Sequence, residues 1–424
     1  MATVNSNYIW HPFTQMKTAQ PPLHVVKAKN CTLYTDDGKE YIDAIASWWV
    51  NIHGHCNEYI ANAIAEQART LEHVIFAGFT HTPAIELSKK LINILPAHFA
   101  KVFFSDDGST SVEVALKMAI QYWYNKGLKN KTTIIAFENA YHGDTFGSMS
   151  VAERNEFNAA FKPFLFDVKR LPLPNENNSN SIKQQLYAWA AEEHIAAFIF
   201  EPLVQGAAGM LMYEAKYLDA LIAIAREKNI LCIADEVMTG FGRTGKNFAI
   251  NYLKNEPDII CLSKGITGGF MPLGVTVCTQ QIFDAFYDDD TTKTFFHGHS
   301  YTANPLACAA ANASTELLIA EKCQQQIQWI TNSHRIFADT IRSHPFVKEV
   351  RQQGTILAVE LSTSESSSYF NNIQITAYQY YLSKGIFLRP LGNIVYIMPP
   401  YCIKEEELNS VYTAIKDSLF YLSK

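Results

Sequence analysis

The sequence predicts an α/β fold built on a mostly parallel β-sheet that is flanked by helices. Between about residues 55 and 310, short apolar segments of strand length alternate with helical patterns, as in proteins made of repeated β–α units. Most of these segments are continuously apolar, which is typical of strands covered on both faces. We predict strands at residues 101–104, 133–137, 197–200, 230–234, 259–262 and 274–278.

Helical periodicity accompanies these strands. Apolar residues three and four positions apart lie on one face of a helix, which can then pack on a sheet. Such spacing occurs at Val112, Ala115, Leu116 and Ala119, and again at Leu218, Leu221, Ile222 and Ala225. The alternation of the two patterns predicts helical layers on both sides of the sheet.

Both ends of the chain differ from this pattern. Near the N-terminus, two short strands are predicted at 31–34 and 40–43. After about residue 311, a long helical stretch precedes strands at 356–361 and 394–398, with a Ser-rich loop at 362–368 between them. We therefore predict a large domain over residues 55–310 and a smaller α+β domain over residues 311–424, with residues 1–54 forming part of the smaller one.

Composition and charge exclude several classes of protein. The 424 residues are 48% apolar and 18% charged, as in ordinary globular enzymes. A formal net charge of −6 leaves no basic surplus to neutralise phosphates, so no nucleic-acid partner is expected. No apolar stretch approaches the length that spans a bilayer, so no membrane association is expected.

Cysteine usage indicates a reducing compartment. The eight cysteines are scattered, with no C-x-x-C pair and no clustered His and Cys spacing, so we predict neither a disulfide framework nor a metal site. The first twelve residues contain no Lys or Arg and no apolar core, and we expect no signal peptide. These features predict a cytoplasmic protein.

Two predicted strands end in opposite charges. Asp235 follows the strand at 230–234, and Lys264 follows the strand at 259–262 after one residue. If both strands are parallel, both charges lie at the carboxyl edge of the sheet, where open α/β sheets bind ligands. Such a pair fits a pyridoxal phosphate (PLP) enzyme, in which the lysine forms a Schiff base and the aspartate keeps the pyridine nitrogen protonated. For the pair taken alone, a strand-end salt bridge is the simpler interpretation.

A turn of small residues follows the strand at 101–104. Gly108, Ser109 and Thr110 begin a helix there. The free backbone N–H groups of a helix N-terminus favour an anion such as a phosphate. Ser109 or Thr110 can equally serve only as a cap of the helix.

Other strand ends add side chains to the same edge. Tyr141 and His142 follow one strand, and an aromatic ring in this position can stack on a pyridine ring, although a Tyr-His pair in a loop can also be structural. Gln205 follows another strand and can hydrogen-bond a ring hydroxyl. Val237 lies two residues after Asp235, where its side chain can contact the face of the ring.

Together these motifs resemble those of class III aminotransferases, which have PLP fold type I, and the resemblance covers nearly the whole chain. The general motifs are residues 106–113 (DDGSTSVE), 141–143 (YHG), 234–245 (ADEVMTGFGRTG) and 263–265 (SKG). Residues 9–16 (IWHPFTQM), 47–49 (SWW), 297–308 (HGHSYTANPLAC) and 388–390 (LRP) resemble the members that transfer an amino group from S-adenosylmethionine to 7-keto-8-aminopelargonate in biotin biosynthesis.

For the cofactor, the resemblance implies PLP bound by the large domain of a homodimer whose active sites lie at the interface. Lys264 would form the Schiff base and move protons, Asp235 would contact the pyridine nitrogen, and Tyr141 would stack on the ring. The other cofactor-binding residues that it implies are Gly108, Ser109, His142, Val237 and, from the second subunit, Ser300.

For the substrates, the resemblance implies that Arg389 binds the carboxylate of the ketone, a role that suits a planar guanidinium. The other substrate-binding residues that it implies are Phe13, Trp48, Trp49, Arg243, Gly298 and Tyr396. An Arg before a Pro can instead form a surface ion pair, and the two tryptophans can belong to the core. Phe13 stands where related enzymes often have a tyrosine, so a hydroxyl on the substrate side is missing or comes from elsewhere. At 299–300 the pair His-Ser replaces Pro-Thr, which leaves a hydroxyl for the phosphate.

Two other functions stay open at this point. Class III relatives that use lysine, ornithine or another ω-amino donor share the same scaffold. A protein that retains the fold only to bind a ligand or partner is the other possibility. The pair of Lys264 and Asp235 argues against the second function, because binding alone requires neither residue.

Overall fold

Strands and helices alternate along most of the chain, whose structure is a computed structural model that describes residues 8–364, 367, 369 and 371–423. Among these residues the strands are β1 (Val25–Lys29), β2 (Thr32–Thr35), β3 (Glu40–Asp43), β4 (Phe99–Ser105), β5 (Thr133–Phe137), β6 (Val168–Leu171), β7 (Ile195–Phe200), β8 (Val204–Gln205), β9 (Leu211–Met212), β10 (Leu231–Asp235), β11 (Ile259–Leu262), β12 (Gly274–Thr279), β13 (Val347–Gln353), β14 (Ile356–Leu361), β15 (Ile386–Phe387) and β16 (Ile394–Ile397). The helices are α1 (Ala46–Trp49), α2 (Glu58–Thr70), α3 (Thr82–Ile94), α4 (Gly108–Asn125), α5 (Phe146–Val151), α6 (Ser179–Ala190), α7 (Ala215–Glu227), α8 (Gln280–Asp284), α9 (Pro305–Ile319), α10 (Glu321–Ile341), α11 (Ile373–Ser383) and α12 (Glu405–Tyr421), with 3-10 turns at Ala159–Phe164, Ala249–Tyr252, Lys264–Thr267 and Thr291–Lys293.

Seven strands form the central sheet, in the order β4-β12-β11-β10-β7-β5-β6. They run in one direction except β12, which is antiparallel to both of its neighbours. The segment 263–273 between β11 and β12 is short, and a parallel return needs a crossover of a dozen residues or more. The mostly parallel sheet predicted from the sequence is confirmed, and each predicted strand is present with ends shifted by at most two residues.

The helices cover this sheet with the faces that the sequence predicts. On α4, the buried residues include Val112, Ala115, Leu116 and Ala119. On α7 they include Leu218, Leu221, Ile222 and Ala225. Every residue of β7 and β10 is buried, as expected for strands covered on both sides. The site-bearing strand ends are therefore anchored in the apolar core.

Strand β6 was not predicted from the sequence. It lies at the edge of the central sheet, and β5 is its one partner among the described strands. Its sequence, Val-Lys-Arg-Leu, carries two cationic residues because an edge strand has one open side. The continuous apolar pattern that identified the inner strands is therefore missing.

Outside the central sheet, the described residues form a two-stranded antiparallel sheet of β8 and β9 and two larger sheets. Strands β13, β14 and β16 form an antiparallel sheet. In the second, β1, β2 and β3 are joined by β15, which pairs in parallel with β3. This pairing brings the N-terminal strands against the C-terminal part of the chain. The division into residues 1–54, 55–310 and 311–424 stays a prediction.

Some sequence predictions fall partly outside the described residues. The Ser-rich loop at 362–368 includes residues 365, 366 and 368, and the N-terminal segment includes residues 1–7, all of which lie outside them. Within the described part of the chain, no helix combines the length and the apolar character needed to cross a membrane.

Candidate active site

A cavity of about 680 Å³ lies at the carboxyl edge of the central sheet. Residues that follow β4, β5, β7, β10 and β11 line it, so the cavity lies where parallel sheets present their ligand-binding residues. The lining includes Trp49, Gly108, Ser109, Tyr141, His142, Glu201, Asp235, Val237 and Lys264. All of these except Glu201 were predicted from the sequence as site residues.

Lys264 and Asp235 enter the cavity from neighbouring parallel strands. Asp235 is the last residue of β10 and pairs in register with Cys261 of β11, three residues before Lys264. Lys264 has a φ of 47°, a left-handed backbone conformation that is uncommon outside glycine and that concentrates at functional sites. In the part of the chain that the structure describes, Asp235 pairs with His142 and not with Lys264. The alternative of a strand-end salt bridge is therefore wrong.

The net effect of its surroundings is to lower the pKa of Lys264. Burial lowers the pKa of its ammonium group to about 8, and the carboxylates of Asp235 and Glu201 oppose this shift without cancelling it. The Nζ atom lies 4.6 Å from the ring centroid of Trp49. A lysine with such a pKa can be a nucleophile or a base near neutral pH.

Asp235 is held by two neighbours. Its Oδ2 atom lies 2.7 Å from Nδ1 of His142, and its Oδ1 atom accepts the backbone N–H of Val237 at 3.1 Å. Both Asp235 and His142 are almost completely buried, and Nε2 of His142 has no partner among the described residues. Because each carboxylate oxygen can accept a further hydrogen bond, Asp235 can still bind a cationic ring N–H in the cavity.

The N-terminus of α4 offers backbone donors to the cavity. Asp107, and not Ser109 or Thr110, is the cap: its side chain accepts the N–H of Thr110 at 2.8 Å. The N–H groups of Gly108 and Ser109 belong to the first turn, where no preceding helical carbonyl can accept them. The hydroxyl of Ser109 lies 2.9 Å from that of Thr145 and accepts its N–H. The backbone of this turn, more than its hydroxyls, is thus suited to an anion.

Two glycines allow the walls of the cavity to approach each other. A Cβ atom on Gly108 would lie 2.6 Å from Cγ1 of Val237. A Cβ atom on Gly143, which has a φ of 126°, would lie 2.2 Å from Oγ of Ser109. Larger residues at either position would push apart the elements that carry Asp235, Tyr141 and the α4 N-terminus.

Tyr141 and Glu201 lie on the same wall. The backbone N–H of Tyr141 donates to Oε1 of Glu201 at 3.0 Å, and the Tyr141 hydroxyl donates to Asp144 at 3.0 Å. Burial raises the pKa of Glu201 to about 7, with Asp235 adding to the shift and His142 opposing it. Glu201 was not predicted from the sequence as a site residue, and nothing in its local pattern indicates that it is buried beside Asp235.

A second group of residues lies beside the cavity without lining it. The guanidinium carbon of Arg389 lies 4.6 Å from the ring centroid of Trp48, and Nη2 of Arg389 donates to the hydroxyl of Tyr369 at 3.4 Å. The ring of Phe13 packs edge-on against Trp48 at 5.5 Å. No carboxylate pairs with Arg389 among the described residues, so the surface ion pair considered for it is absent there. Tyr369 was not predicted from the sequence as a site residue.

A hydrogen bond between Trp49 and Tyr396 connects the cavity lining with the group of residues around Arg389. The indole N–H of Trp49 donates to the hydroxyl of Tyr396 at 3.0 Å, and both side chains are buried. Trp48, by contrast, is 41% exposed, so only one of the two tryptophans belongs to the core.

Four residues named from the sequence lie away from the cavity lining. Arg243 is 1% exposed, and its guanidinium donates to the backbone carbonyls of Pro399 and Trp49 at 2.8 and 3.2 Å. Gln205 is fully buried and donates to a backbone carbonyl. Gly298 and Ser300 are exposed. The predicted role of Ser300 requires a second subunit, and the roles predicted for Gly298 and Ser300 stay predictions.

The model of the family Aminotransferase class-III matches residues 13–419 of the chain. The chain belongs to the class III aminotransferase family. An adenosylmethionine-8-amino-7-oxononanoate aminotransferase from Synechococcus elongatus is 49% identical over 420 residues, which cover 97% of this chain and 98% of that protein. A protein of the same description from Geobacter sulfurreducens is 38% identical over 437 residues, covering 97% and 95% of the two chains.

Solved aminotransferase structures have the same fold. The crystal structure of adenosylmethionine-8-amino-7-oxononanoate aminotransferase from Methanocaldococcus jannaschii matches with a TM-score of 0.91 and 36% identity, covering 97% of each chain. The omega transaminase from Pseudomonas jessenii, solved in complex with PMP, matches with a TM-score of 0.92 and 27% identity, covering 98% of each chain. The predicted aminotransferase of fold type I is therefore confirmed.

Proposed function

We propose that this aminotransferase transfers an amino group from S-adenosylmethionine to 7-keto-8-aminopelargonate (8-amino-7-oxononanoate), giving 7,8-diaminopelargonate for biotin synthesis, with PLP as its cofactor. The observation that carries the proposal is the 49% identity, over 97% of the chain, to a protein whose description states this reaction. The site geometry agrees with it, because it combines a buried amine, a buried carboxylate and a guanidinium that has no acidic partner among the described residues.

The cavity residues fit PLP. A flat pyridine ring needs a partner for its nitrogen, a surface on each face and an anion site for its phosphate. Asp235 provides the first, Tyr141 and Val237 line the cavity beside it, and the N-terminus of α4 provides the last. Within the part of the chain that the structure describes, Nε2 of His142 has no hydrogen-bond partner and Lys264 forms no ion pair with Asp235, so these polar groups are available to a ligand.

When bound, PLP supplies an aldehyde that accepts the amino group and an electron-withdrawing ring that stabilises negative charge at the reacting carbon. The chain supplies the surroundings for this chemistry. Asp235, oriented by His142 and the N–H of Val237, keeps a proton on the ring nitrogen. The first N–H groups of α4 bind the phosphate and fix the position of the ring.

Lys264 moves the proton. Within each half-reaction, its Nζ atom would take a proton from one reacting carbon and deliver it to the other, as its pKa of about 8 permits near neutral pH. Trp49 covers Nζ on one side and limits its contact with water. The same lysine serves both half-reactions, since the second reverses the steps of the first.

Arg389 selects the acceptor. Its guanidinium lies against Trp48 and beside Tyr396, and a carboxylate can accept two parallel hydrogen bonds from it. The aromatic side chains of Phe13 and Trp48 offer apolar surface to the methylene chain of the ketone. This combination suits an elongated substrate with a terminal carboxylate.

A homodimer completes the proposal. Gly298 and Ser300 are exposed in the single chain, and we propose that Ser300 contributes its hydroxyl to the phosphate site of a second copy. A cytoplasmic location is also proposed. The eight cysteines are free thiols, as a reducing compartment maintains them.

The test is product formation from defined donors. Purified holoenzyme is incubated with 7-keto-8-aminopelargonate and S-adenosylmethionine, lysine or ornithine, and 7,8-diaminopelargonate is measured by mass spectrometry. We expect product with S-adenosylmethionine and none with the Lys264→Ala variant. Product with lysine or ornithine but not with S-adenosylmethionine would reject the proposed donor.

A further inference from the structure

We propose that Asp43 is a positioning residue for the substrate side of the site. It acts through a turn at residues 46–49 that places Trp48 against Arg389 and Trp49 against Lys264. The inference rests on the proposed function, because the group whose binding it affects is the carboxylate-bearing ketone.

The carboxylate of Asp43 is completely buried and accepts four hydrogen bonds. Oδ1 accepts the N–H of Ile45 at 3.2 Å, and Oδ2 accepts the N–H of Ser47 at 2.7 Å and the Ser47 hydroxyl at 3.1 Å. Nε2 of His55 lies 2.8 Å from the same Oδ2 atom. A buried carboxylate with this many donors fixes the backbone around it.

The turn that these bonds hold has an unusual backbone. Ala46, Ser47 and Trp49 have φ values of 51°, 59° and 70°, and none of them is glycine. Such conformations cost free energy and persist only where surrounding contacts impose them. Asp43 imposes the first half of the turn through Ile45 and Ser47.

The second half of the turn is held by Arg243. Its guanidinium donates to the carbonyl of Trp49 at 3.2 Å and to that of Pro399 at 2.8 Å. Arg243 therefore contributes to the site through the backbone of Trp49, which explains why a residue of a site motif lies buried away from the cavity.

The consequence of the turn is that two consecutive tryptophans serve different parts of the site. Trp48 is 41% exposed and lies 4.6 Å from the guanidinium carbon of Arg389. Trp49 is 5% exposed, contacts Lys264 and donates to Tyr396. A relaxed turn would move Trp48 away from Arg389 and would leave that arginine free to adopt other rotamers.

Asp43→Asn tests this arrangement with little change of shape. One carboxylate oxygen becomes an NH₂ group, which cannot accept the N–H group of Ile45 or of Ser47 that faces it, while the remaining oxygen can still accept. We expect the KM for the ketone to rise about tenfold, with kcat at saturating ketone within about threefold of wild type. The affinity for PLP should change less than about twofold, because α4 and Asp235 lie outside the turn.

Two further variants test the effect on the KM for the ketone: one is a smaller change in the same turn, and the other is a control elsewhere in the chain. Ser47→Ala removes one of the four hydrogen bonds and should raise the KM for the ketone by about two- to threefold. Tyr381→Phe removes a buried hydrogen bond of 2.7 Å to Ser418, between helices α11 and α12. It should lower the thermal midpoint without changing the KM for the ketone. Should Asp43→Asn fail to fold, Ser47→Ala carries the test, and an unchanged KM in that variant would overturn the proposal.

Hydrogen exchange provides a readout that does not depend on the reaction. In Asp43→Asn at least one of the amides of Ile45 and Ser47 should exchange at least about tenfold faster than in wild type, and those of α4 should not. If wild type does not aminate the ketone, the proposed function fails while this measurement still tests the turn. Unchanged exchange, or a parallel loss of PLP and ketone affinity as in general unfolding, would overturn the role of Asp43.

Discussion

Nζ of Lys264 lies 4.6 Å from the ring centroid of Trp49, at the end of a strand whose neighbour ends in Asp235. The aromatic face and the nearby carboxylates favour the charged amine, whereas burial favours the neutral amine and is the larger effect. The resulting pKa of about 8 makes both forms accessible near neutral pH. A group that must accept and release a proton in each half-reaction requires this balance.

Competitive labelling tests the pKa of Lys264. Only the neutral amine reacts with an acylating reagent, so labelling of Lys264 in the protein without PLP should rise with pH around a midpoint of about 8. Lys39 is the internal control: its hydrogen bond to Asp37 raises its pKa, so its labelling should require more alkaline solution. Equal pH profiles for the two lysines, measured by peptide mass spectrometry, would contradict the account.

Asp235→Asn tests the partner of the ring nitrogen. The amide preserves the shape of the side chain but cannot stabilise a positive charge, so we expect kcat to fall by at least about a hundredfold. PLP should remain bound through the α4 N-terminus and Lys264. Activity within about threefold of wild type would show that Asp235 has no such role.

Arg389→Lys tests the carboxylate site. Lysine retains the charge but loses the two parallel donors and the planar contact with Trp48. Charged hydrogen bonds contribute about 1.5–3 kcal/mol, so the KM for the ketone should rise by roughly ten- to a hundredfold. Arg226→Lys is the matched control, because Arg226 donates to the carbonyl of Glu256 on the surface. An equal, small effect of both substitutions would reject the assignment.

His334 makes a prediction about stability in acid. Nδ1 lies 2.7 Å from the hydroxyl of Tyr412 and Nε2 lies 3.1 Å from the carbonyl of Thr355, an arrangement that suits the neutral ring. Burial lowers its pKa to about 4, against 6.5 for an ordinary histidine. As pH falls, the unfolded chain therefore binds a proton at this position before the folded chain does. The free energy of unfolding decreases as pH falls from 6.5 towards 4.

His334→Gln removes this proton-binding difference. Between pH 6.5 and 4, the free energy of unfolding of wild type should fall by up to about 3 kcal/mol more than that of the variant. Chemical denaturation at several pH values measures the difference. A constant gap between the two proteins over this range would contradict the prediction.

The sequence predicts the core of the fold because apolar strands covered on both faces have an unmistakable pattern. It does not predict β6 or β13, whose exposed sides carry charged and polar residues such as Lys169 and Glu349. The direction of a strand depends on the connection before it: β12 is antiparallel to β11 because the connection between them is short.

The site residues that follow strands are predictable for the same reason, since parallel strands deliver Tyr141, Asp235 and Lys264 to one edge. The substrate side of the site depends on the turn at residues 46–49. Its positive φ values cannot be predicted from the sequence, because none of the residues that adopt them is glycine. Tyr369 contacts Arg389 only through the packing of separate segments. Contacts of this kind depend on tertiary structure and not on local sequence.

Rapid mixing of the holoenzyme with S-adenosylmethionine tests the central claim most directly. We predict that the visible absorbance of the lysine-bound cofactor falls within a single turnover and is restored by 7-keto-8-aminopelargonate, and that Lys264→Ala shows neither change. An absorbance that S-adenosylmethionine leaves unchanged, but that lysine or ornithine removes, would contradict the account.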